Sequence, residues 1–256
     1  MSKPIKMYWW NKNTNFGDLL NPLFAQRLFN KTIIHETDPF KADLIGIGSV
    51  WHGNIIDEQE KLSKDGLHVW GTGFYGSKNH VKNRLIPHLV RGKVIAERFP
   101  GFSGAMGDAG LLSSELLNKQ PAKSYATGII CHWKERGNEA VSSLVKQLPN
   151  SVLIDVLQPP EDVIKQIAAC DTVLSSSLHG LIVADSIKVP NQWVVFTDEV
   201  NDQRIKFEDY YSVFDIKAEP LNAAAGHTLP KVDFSRYKRP GLETIKSDIT
   251  AAFPAL

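Results

Sequence analysis

The second half of the chain alternates short apolar runs with segments in which apolar residues recur every three or four positions. Strands that are separated by helices pair in parallel, and their sheet needs helices on both faces. The alternation therefore predicts an α/β fold with parallel sheets. The predicted strands are 125–132, 152–156, 172–175 and 192–196, and the helices between them are 138–148, 160–170 and 179–187.

The first half follows the same pattern less regularly, and a polar stretch at 118–123 separates the two halves. We predict two Rossmann-like lobes, residues 1–121 and 122–256, which face each other across a cleft. The last helix is expected to pack back onto the first lobe. The predicted elements of the first lobe are strands 6–10, 42–47, 67–71 and 93–98, helices 19–29 and 78–90, and an irregular glycine-rich stretch at 100–110.

Composition narrows the classes of function. A net charge of +1 gives no overall attraction to nucleic acid or to an anionic membrane. The first ten residues are too polar for a signal peptide, and no apolar run approaches the roughly 20 residues of a membrane span. Cys131 and Cys170 lie in apolar segments without a C-x-x-C pair, which indicates buried thiols and no metal site. We therefore expect a cytoplasmic protein.

Polar loops follow several of the predicted strands. In open α/β sheets, ligands bind beyond the carboxyl ends of the strands, where these loops gather. Asp18 can cap the first helix, and it can also face a substrate hydroxyl. The candidates from the first lobe are Asn15, Gly17, Asp18, Gly48 and Ser49.

The strongest candidate segment, residues 175–180, connects a predicted strand to a helix. Free backbone N–H groups and the positive end of the helix dipole favour an anion such as phosphate there. His179 lies at the start of this predicted helix, beside three serine hydroxyls, which favours a functional role for the histidine over a purely structural one. No G-x-S-x-G motif is present, so a serine hydrolase is not expected. The segment comprises Ser175, Ser176, Ser177, Leu178, His179 and Gly180.

Basic residues near other strand ends are candidates for holding the anion, namely Arg98, His132 and Arg136. Segment 204–211 (RIKFEDYY) fits an exposed amphipathic turn with aromatic packing as well as it fits a functional segment. It includes Lys206 and Asp209.

The run 71–76 matches G-x-G-x-x-G, the pattern of dinucleotide sites. It lacks the acidic residue about 20 positions further on that such sites use. We therefore interpret it as a tight glycine-rich turn at a strand end.

Six motifs occur in a fixed order along most of the chain. They are Asn15-Phe16-Gly17-Asp18, Gly46-Ile47-Gly48-Ser49-Val50, Val69-Trp70-Gly71-Thr72-Gly73, Gly107-Asp108-Ala109-Gly110-Leu111-Leu112, the segment 175–185 and Lys206-Phe207-Glu208-Asp209-Tyr210-Tyr211. Each is weak alone, but the ordered set resembles the polysaccharide pyruvyltransferase family, in particular the bacterial ketal-pyruvate transferases of exopolysaccharide assembly.

The sequence departs from the family pattern in places. Family members usually have Arg-Gly-Pro and then a helix before the Gly-Asp motif. Here Arg98 is followed by Phe99-Pro100-Gly101 and a short loop, so we expect that helix to be missing. Ser177 stands where many members have arginine, so another basic residue must hold the donor.

The resemblance implies two lobes similar to those of the GT-B glycosyltransferases. It implies transfer of the enolpyruvyl carbons of phosphoenolpyruvate onto two hydroxyls of one sugar, which forms a ketal and releases phosphate. The acceptor would be a saccharide, lipid-linked at the inner face of the membrane and bound by the first lobe, with phosphoenolpyruvate on the second. No metal or organic cofactor is expected.

The same resemblance suggests roles for the candidate residues. His179 would protonate the enol carbon, and Asp18 or Asp209 would accept a proton from the sugar. The serines and N–H groups of 175–180 would hold the phosphate, and Arg98, His132 or Arg136 the carboxylate. The remaining substrate contacts would come from Asn15, Gly17, Gly48, Ser49, Asp108, Leu178, Gly180 and Lys206.

Two other functions remain open from the sequence. One is a glycosyltransferase of the same fold that uses a nucleotide sugar. The other is a saccharide-binding protein without catalysis, consistent with the many Trp and Tyr residues. The first would bind a nucleoside diphosphate, and the second would bind sugar without releasing phosphate.

Overall fold

The computed structural model describes residues 3–51, 55, 57–74, 84–197, 203–217, 219–224 and 232–256. Within these ranges the protein consists of two parallel β-sheets flanked by helices, which confirms the predicted fold class. The strands of the first sheet are β1 (Ile5–Tyr8), β2 (Ile33–His35), β3 (Leu44–Ile45), β4 (Gly48–Trp51), β5 (Leu67–Phe74), β6 (Leu85–Val90) and β7 (Ala105–Met106). Those of the second are β8 (Tyr125–Ile130), β9 (Ser151–Leu153), β10 (Cys170–Ser175), β11 (Asn191–Val195) and β12 (Leu221–Asn222).

The first sheet has the order β2-β1-β3-β5-β6-β7, with β4 paired to β5, and the second has the order β12-β11-β10-β8-β9. Short 3-10 helices complete the connections at Pro39–Lys41, Gln59–Lys61, Ala109–Leu116, Trp133–Glu135 and Phe234–Arg236. The α-helices are α1 (Phe16–Arg27), α2 (Lys93–Ala96), α3 (Glu139–Gln147), α4 (Pro160–Ala168), α5 (Leu178–Ser186), α6 (Arg204–Ser212) and α7 (Leu242–Ala251). None of the helices in the described ranges is both long enough and apolar enough to cross a membrane.

Local sequence signals explain several helix boundaries in the second half. The side chain of Asn138 accepts a hydrogen bond from the Ala140 N–H (2.8 Å) and caps α3. Pro160 occupies the first turn of α4, where its missing N–H costs nothing. Helix α5 is buried along its whole length. Its apolar residues are spread around the helix, as is typical of a buried helix rather than of an amphipathic one.

One apolar cluster joins the two sheets, with members that include Phe16, Trp70, Leu112, Ile182 and Phe207. The start of α1 is docked on the second half, since the Phe16 N–H donates to the Val156 carbonyl (2.9 Å). Helix α7 returns to the first sheet, where the Trp70 indole donates to the Ile249 carbonyl (3.1 Å). This packing brings the carboxyl ends of both sets of strands to a common site. The domain boundary at residue 121 stays a prediction.

Two predicted elements of the first half are wrong. Residues 85–90, predicted as the end of a helix, form strand β6, and residues 78–83 lie outside the described ranges. Pairing with β5 outweighs the helical spacing, and Pro87 sits beside a shift in register. Residues 93–96, predicted as a strand, form α2 because side chains of α6 cap the free N–H groups of its first turn. Ser212 Oγ accepts from the Lys93 N–H (2.9 Å), and Asp209 Oδ1 accepts from the Ile95 N–H (3.1 Å).

Segment 204–211 is not an exposed turn. It forms α6, with Phe207, Tyr210 and Tyr211 buried against the shared core. Phe207 stacks on Trp193, with ring centroids 4.1 Å apart. Packing against the core therefore determines the structure of this segment, whose composition fitted an exposed turn as well as a functional segment.

A buried carboxylate ties α5 to α6 and to the C-terminal segment. Asp185 is fully buried and accepts hydrogen bonds from the Tyr210 hydroxyl (2.7 Å), the Tyr237 hydroxyl (2.8 Å) and Arg239 Nε (2.7 Å). The Asn191 amide donates to the same carboxylate (2.5 Å). Both carboxylate oxygens of Asp185 therefore have hydrogen-bond donors. The network stabilises this buried group and fixes how α5 packs beneath the site.

Replacing Tyr237 with phenylalanine is expected to lower the free energy of unfolding by about 1.5–3 kcal/mol, the usual contribution of a hydrogen bond to a charged group. Urea denaturation measures this change. Tyr125→Phe is the matched control, because the Tyr125 hydroxyl makes no hydrogen bond within the described part of the chain. Equal losses in the two variants would contradict a stabilising role for the Tyr237–Asp185 bond.

Candidate active site

A cavity of about 230 Å³ lies where the carboxyl ends of strands from both sheets meet. Its walls come from the loop and helix after β1, from β4, from the end of β6, from the turn after β8 and from the starts of α5 and α6. The lining residues are Trp10, Asn15, Asp18, Gly48, Ser49, Arg91, His132, Trp133, Lys134, Ser177, Leu178, His179, Gln203 and Lys206. Many residues predicted from separate motifs are thus brought together.

Five basic side chains line this cavity, and all of them except the exposed Lys134 are buried or half-buried. Arg91 is 1% exposed, Lys206 8% and His179 9%, and His132 is half-buried beside them. Burial and the Arg91 charge lower the pKa of Lys206 to about 7. Buried positive groups that repel one another favour an anionic ligand, because the ligand's negative charge relieves both the burial and the repulsion.

Arg91 is a site residue that the sequence analysis missed. Its Nε donates to Asp209 Oδ2 (3.0 Å) and its Nη1 to Ser49 Oγ (3.2 Å), while Nη2 has no partner within the described residues. The guanidinium lies flat against Gly73, where a Cβ would overlap it. The second glycine of the Gly71-Thr72-Gly73 motif therefore makes room for Arg91 rather than for a dinucleotide.

The sequence predicts that Arg98 binds the anion, but the structure does not place Arg98 at the cavity. Arg98 lies just after α2 and does not line the cavity. Arg91-Gly92 directly follows β6, and the short helix α2 comes next, so an Arg-Gly pair followed by a helix does precede Gly107-Asp108. As predicted, no helix lies between Arg98 and Gly107, a segment that falls within the described range 84–197. The Arg-Gly pair after an apolar run was the available signal. The sequence candidates come from the ends of predicted strands. Because a helix is predicted at 85–90, Arg91 is not among them.

His179 occupies the first turn of α5 at the floor of the cavity. Gly17 of α1 lies directly against the imidazole, and a Cβ there would overlap the ring. Nε2 is buried without a hydrogen-bond partner in the described ranges. Burial lowers the pKa of His179 to about 3, and the charges of Arg91 and Lys206 add to this effect. The imidazole is therefore neutral at neutral pH in the free protein.

Asp18 faces the basic groups from α1. Its Oδ2 accepts from the Asn15 amide (3.1 Å), and burial raises the pKa of Asp18 to about 7. The prediction that Asp18 caps the helix by accepting backbone N–H groups is not met, since α1 has no side-chain cap. A carboxyl with a pKa near neutrality is suited to exchange a proton with a substrate.

The three serines have different positions. Ser177 lines the cavity, but Ser175 Oγ turns inward, accepting from the Ser177 N–H (3.0 Å) and donating to the Ser177 carbonyl (2.8 Å). Ser176 Oγ bonds Glu135 and accepts from the His132 N–H (2.9 Å). Gly180 packs against Ser175. Ser175, Ser176 and Gly180 therefore shape the loop instead of contacting a ligand in the cavity.

Asp209, Asp108 and Arg136 also lie away from the cavity. Asp209 is buried between Arg91 and the start of α2, so it orients Arg91 and is not placed to take a proton from a sugar. Asp108 caps the helix Ala109–Leu116 through the Gly110 N–H (2.8 Å), and burial raises its pKa to about 6. Arg136 pairs with Asp155 (3.0 Å) on the surface. None of the three lines the cavity, so this geometry does not support their predicted contacts with substrate.

His132 keeps its predicted place. Its Nδ1 accepts from the Lys134 N–H (3.4 Å), which leaves Nε2 as the donor of the neutral ring. Burial lowers the pKa of His132 to about 3, and Lys206 adds to this effect. Glu135, also missed by the sequence analysis, is 3% exposed and bonds both Ser176 and the His132 N–H. Across the described ranges, no three His, Cys, Asp or Glu side chains are grouped to hold a metal ion.

Asp18→Asn is expected to stabilise the protein more at pH 8 than at pH 5. Folding raises the Asp18 pKa to about 7, so the folded state gains stability from the bound proton at low pH and loses it as the pH rises through 7. Removing the charge should give about 1–3 kcal/mol more stabilisation at pH 8, at 1.36 kcal/mol per pKa unit. Urea denaturation at both pH values measures the difference. The exposed control Asp65→Asn should show none, and a pH-independent effect of Asp18→Asn would contradict the expectation.

Comparisons with known proteins show which proteins this chain is similar to. A family model described as polysaccharide pyruvyl transferase matches residues 101–194. An uncharacterized protein of Acanthamoeba polyphaga mimivirus is 29% identical over 260 residues, covering 97% of this chain and 87% of that protein. The succinoglycan biosynthesis protein ExoV of Rhizobium meliloti (strain 1021) is 25% identical over 223 residues, covering 83% of this chain and 66% of its own length. No solved structure matches the chain. The predicted family resemblance is confirmed.

Proposed function

We propose that this polysaccharide pyruvyltransferase takes the pyruvyl group from phosphoenolpyruvate and places it on two hydroxyls of one sugar, forming a cyclic ketal and releasing phosphate. The observation that carries the proposal is a small cavity in which Arg91, His132, His179 and Lys206 face Asp18. ExoV, which resembles this chain, is named for succinoglycan biosynthesis. Its name supports a growing saccharide as the acceptor.

The size and charge of the cavity suit phosphoenolpyruvate. At about 230 Å³ it is smaller than the roughly 300–1,000 Å³ of sites for drug-sized ligands. That volume suits a small anion with one end of a saccharide better than a nucleotide sugar. Arg91 Nη2 and Lys206 supply donors for the carboxylate and phosphate oxygens, as does Nε2 of His132. His179 Nε2 has no hydrogen-bond partner in the described ranges, so it is available to transfer a proton to the substrate.

In the proposed reaction, bound phosphoenolpyruvate raises the pKa of His179 by adding negative charge to its surroundings, so the ring gains a proton. His179 gives that proton to C3, and the positive charge that develops at C2 is attacked by a sugar hydroxyl. Asp18 accepts the hydroxyl proton. The C2–O bond to phosphate then breaks, and the leaving phosphate takes the proton held by Asp18. The second hydroxyl attacks C2 and closes the ketal, and Asp18 passes its proton to solvent, which replaces the proton that His179 took up. The two hydroxyl protons thus balance the one on C3 and the one on phosphate.

In the proposed reaction, side chains supply every positive charge that holds the phosphate and carry every proton, so no step requires a metal ion. We therefore expect phosphate release to continue in EDTA. Measured with and without added Mg²⁺ after chelation, the rate should change less than twofold. A loss restored by one metal ion would contradict a reaction carried by side chains alone.

A thermal-shift titration with phosphoenolpyruvate, with UDP and NADH in parallel, tests the donor. A ligand that binds only the folded state stabilises it by about 2.7 kcal/mol at a hundredfold excess over its dissociation constant.

Phosphate release with a panel of saccharides, free and lipid-linked, then tests the transfer. A shift with phosphoenolpyruvate and sugar-dependent phosphate release is expected. A shift with UDP alone would indicate a glycosyltransferase, and sugar binding without phosphate release a saccharide-binding protein.

A further inference from the structure

Two tryptophans line the cavity and have no part in the proposed chemistry. Trp10 follows β1 of the first sheet, and Trp133 begins the turn after β8 of the second. Both are half-buried, whereas Arg91, His179 and Lys206 are at most 9% exposed. The cavity therefore has a floor of basic side chains and an aromatic rim, and the residues that follow strands of both sheets contribute to the rim.

The rim tryptophans are held by contacts with basic side chains. The ammonium group of Lys12 lies 5.1 Å from the centre of the Trp10 ring, and that of Lys134 lies 5.8 Å from the Trp133 ring. The His132 ring is 5.6 Å from the Trp133 ring, at an angle of 39°. Ordered indole rings at a half-exposed site offer a large apolar face together with a polar edge. The C–H faces of a sugar ring complement that surface.

Beneath the rim, the start of α1 presents two oxygen acceptors side by side, on Asn15 and Asp18. Asn15 Oδ1 is buried at the cavity with no partner in the described ranges, and the Asn15 amide bonds the Asp18 carboxylate. A buried acceptor without a donor is costly unless a ligand supplies one. Two hydroxyls on one sugar supply two donors. The phosphate side of the cavity offers mainly donors, so it does not meet this need.

We infer that Trp10 and Trp133 form the acceptor subsite: a sugar ring packs against these indoles, with one hydroxyl directed to Asp18 and another to Asn15 Oδ1. The inference rests on the proposed function, because it identifies which part of the same cavity receives the saccharide. It predicts that affinity for sugar depends on the tryptophans, whereas affinity for phosphoenolpyruvate does not.

A second aromatic cavity supplies the control. It has a volume of about 510 Å³ and is lined by Phe99, Phe102 and Phe253, near the start of β6. None of its described lining residues is an acid, a lysine or an arginine. Phe102 is half-buried, as the rim tryptophans are. Phe102→Ala therefore removes a comparable aromatic surface away from the proposed subsite.

Saturation-transfer NMR with methyl glycosides of glucose, galactose and mannose, in the presence of phosphoenolpyruvate, tests the subsite. We expect transfer to at least one glycoside in the wild-type protein. We expect its dissociation constant to rise about tenfold in Trp10→Ala and Trp133→Ala and less than twofold in Phe102→Ala. Trp133→Phe should recover most of the loss. The thermal shift with phosphoenolpyruvate should stay unchanged in every variant.

The possible results separate the two proposals. Equal sugar binding in the wild type and the tryptophan variants, or loss only in Phe102→Ala, would overturn the acceptor subsite even if phosphoenolpyruvate still binds. Absence of transfer to every glycoside would overturn it too. Sugar binding that depends on the tryptophans, found without any shift by phosphoenolpyruvate, would support the subsite and reject pyruvyl transfer.

Discussion

Replacing His179 with glutamine is expected to lower the turnover of phosphoenolpyruvate by about two to four orders of magnitude, the usual contribution of a general acid. The imidazole is the buried group whose Nε2 has no hydrogen-bond partner in the described ranges and which faces the basic cavity. Phosphate release with the most active saccharide of the panel measures the effect. His88→Gln, a half-buried histidine of the other cavity, is the control and should retain wild-type turnover.

Proton uptake distinguishes a catalytic histidine from one that only fills space. Because burial keeps the pKa of His179 at about 3 in the free protein, the ring must gain its proton when phosphoenolpyruvate binds. Calorimetry at pH 7 in two buffers of different ionisation enthalpy should show net uptake by the wild-type protein and less by His179→Gln. Near wild-type turnover in His179→Gln would reject the acid role.

Arg91→Ala is expected to lower the free energy of unfolding by about 3–5 kcal/mol, because it leaves the Asp209 carboxylate buried without its charge partner. The two side chains are each 1% exposed and form one ion pair. The same variant should lose the thermal shift with phosphoenolpyruvate. Urea denaturation and the ligand titration measure the two effects separately.

The double variant Arg91→Met, Asp209→Asn separates stability from binding. The second substitution removes the carboxylate charge that Arg91→Ala leaves unpaired and keeps an amide oxygen to accept from the Ile95 N–H. We expect the double variant to regain most of the stability that Arg91→Ala loses, while the shift with phosphoenolpyruvate stays absent. A shift restored along with the stability would show that the guanidinium is a structural group and not a ligand for the donor.

The alternation of strands and helices and the order of the six motifs were sufficient to predict the fold class and most of the cavity lining. Such patterns are local: apolar spacing within about ten residues decides which face of a strand or helix is buried. Asp18, His132, Ser177, His179 and Lys206 were found in this way. Each stands at the end of a strand or within the first turns of a helix.

Only the tertiary structure showed which polar residues face the ligand and which support those that do. Asp209 and Arg91 are 118 positions apart, so no local spacing reveals that Asp209 orients Arg91 and does not contact the cavity. The strand 85–90 is decided by its pairing with β5, and α2 by the caps from α6. Local periodicity determines buried faces, whereas the partner of a buried charge depends on where the whole chain brings distant residues together.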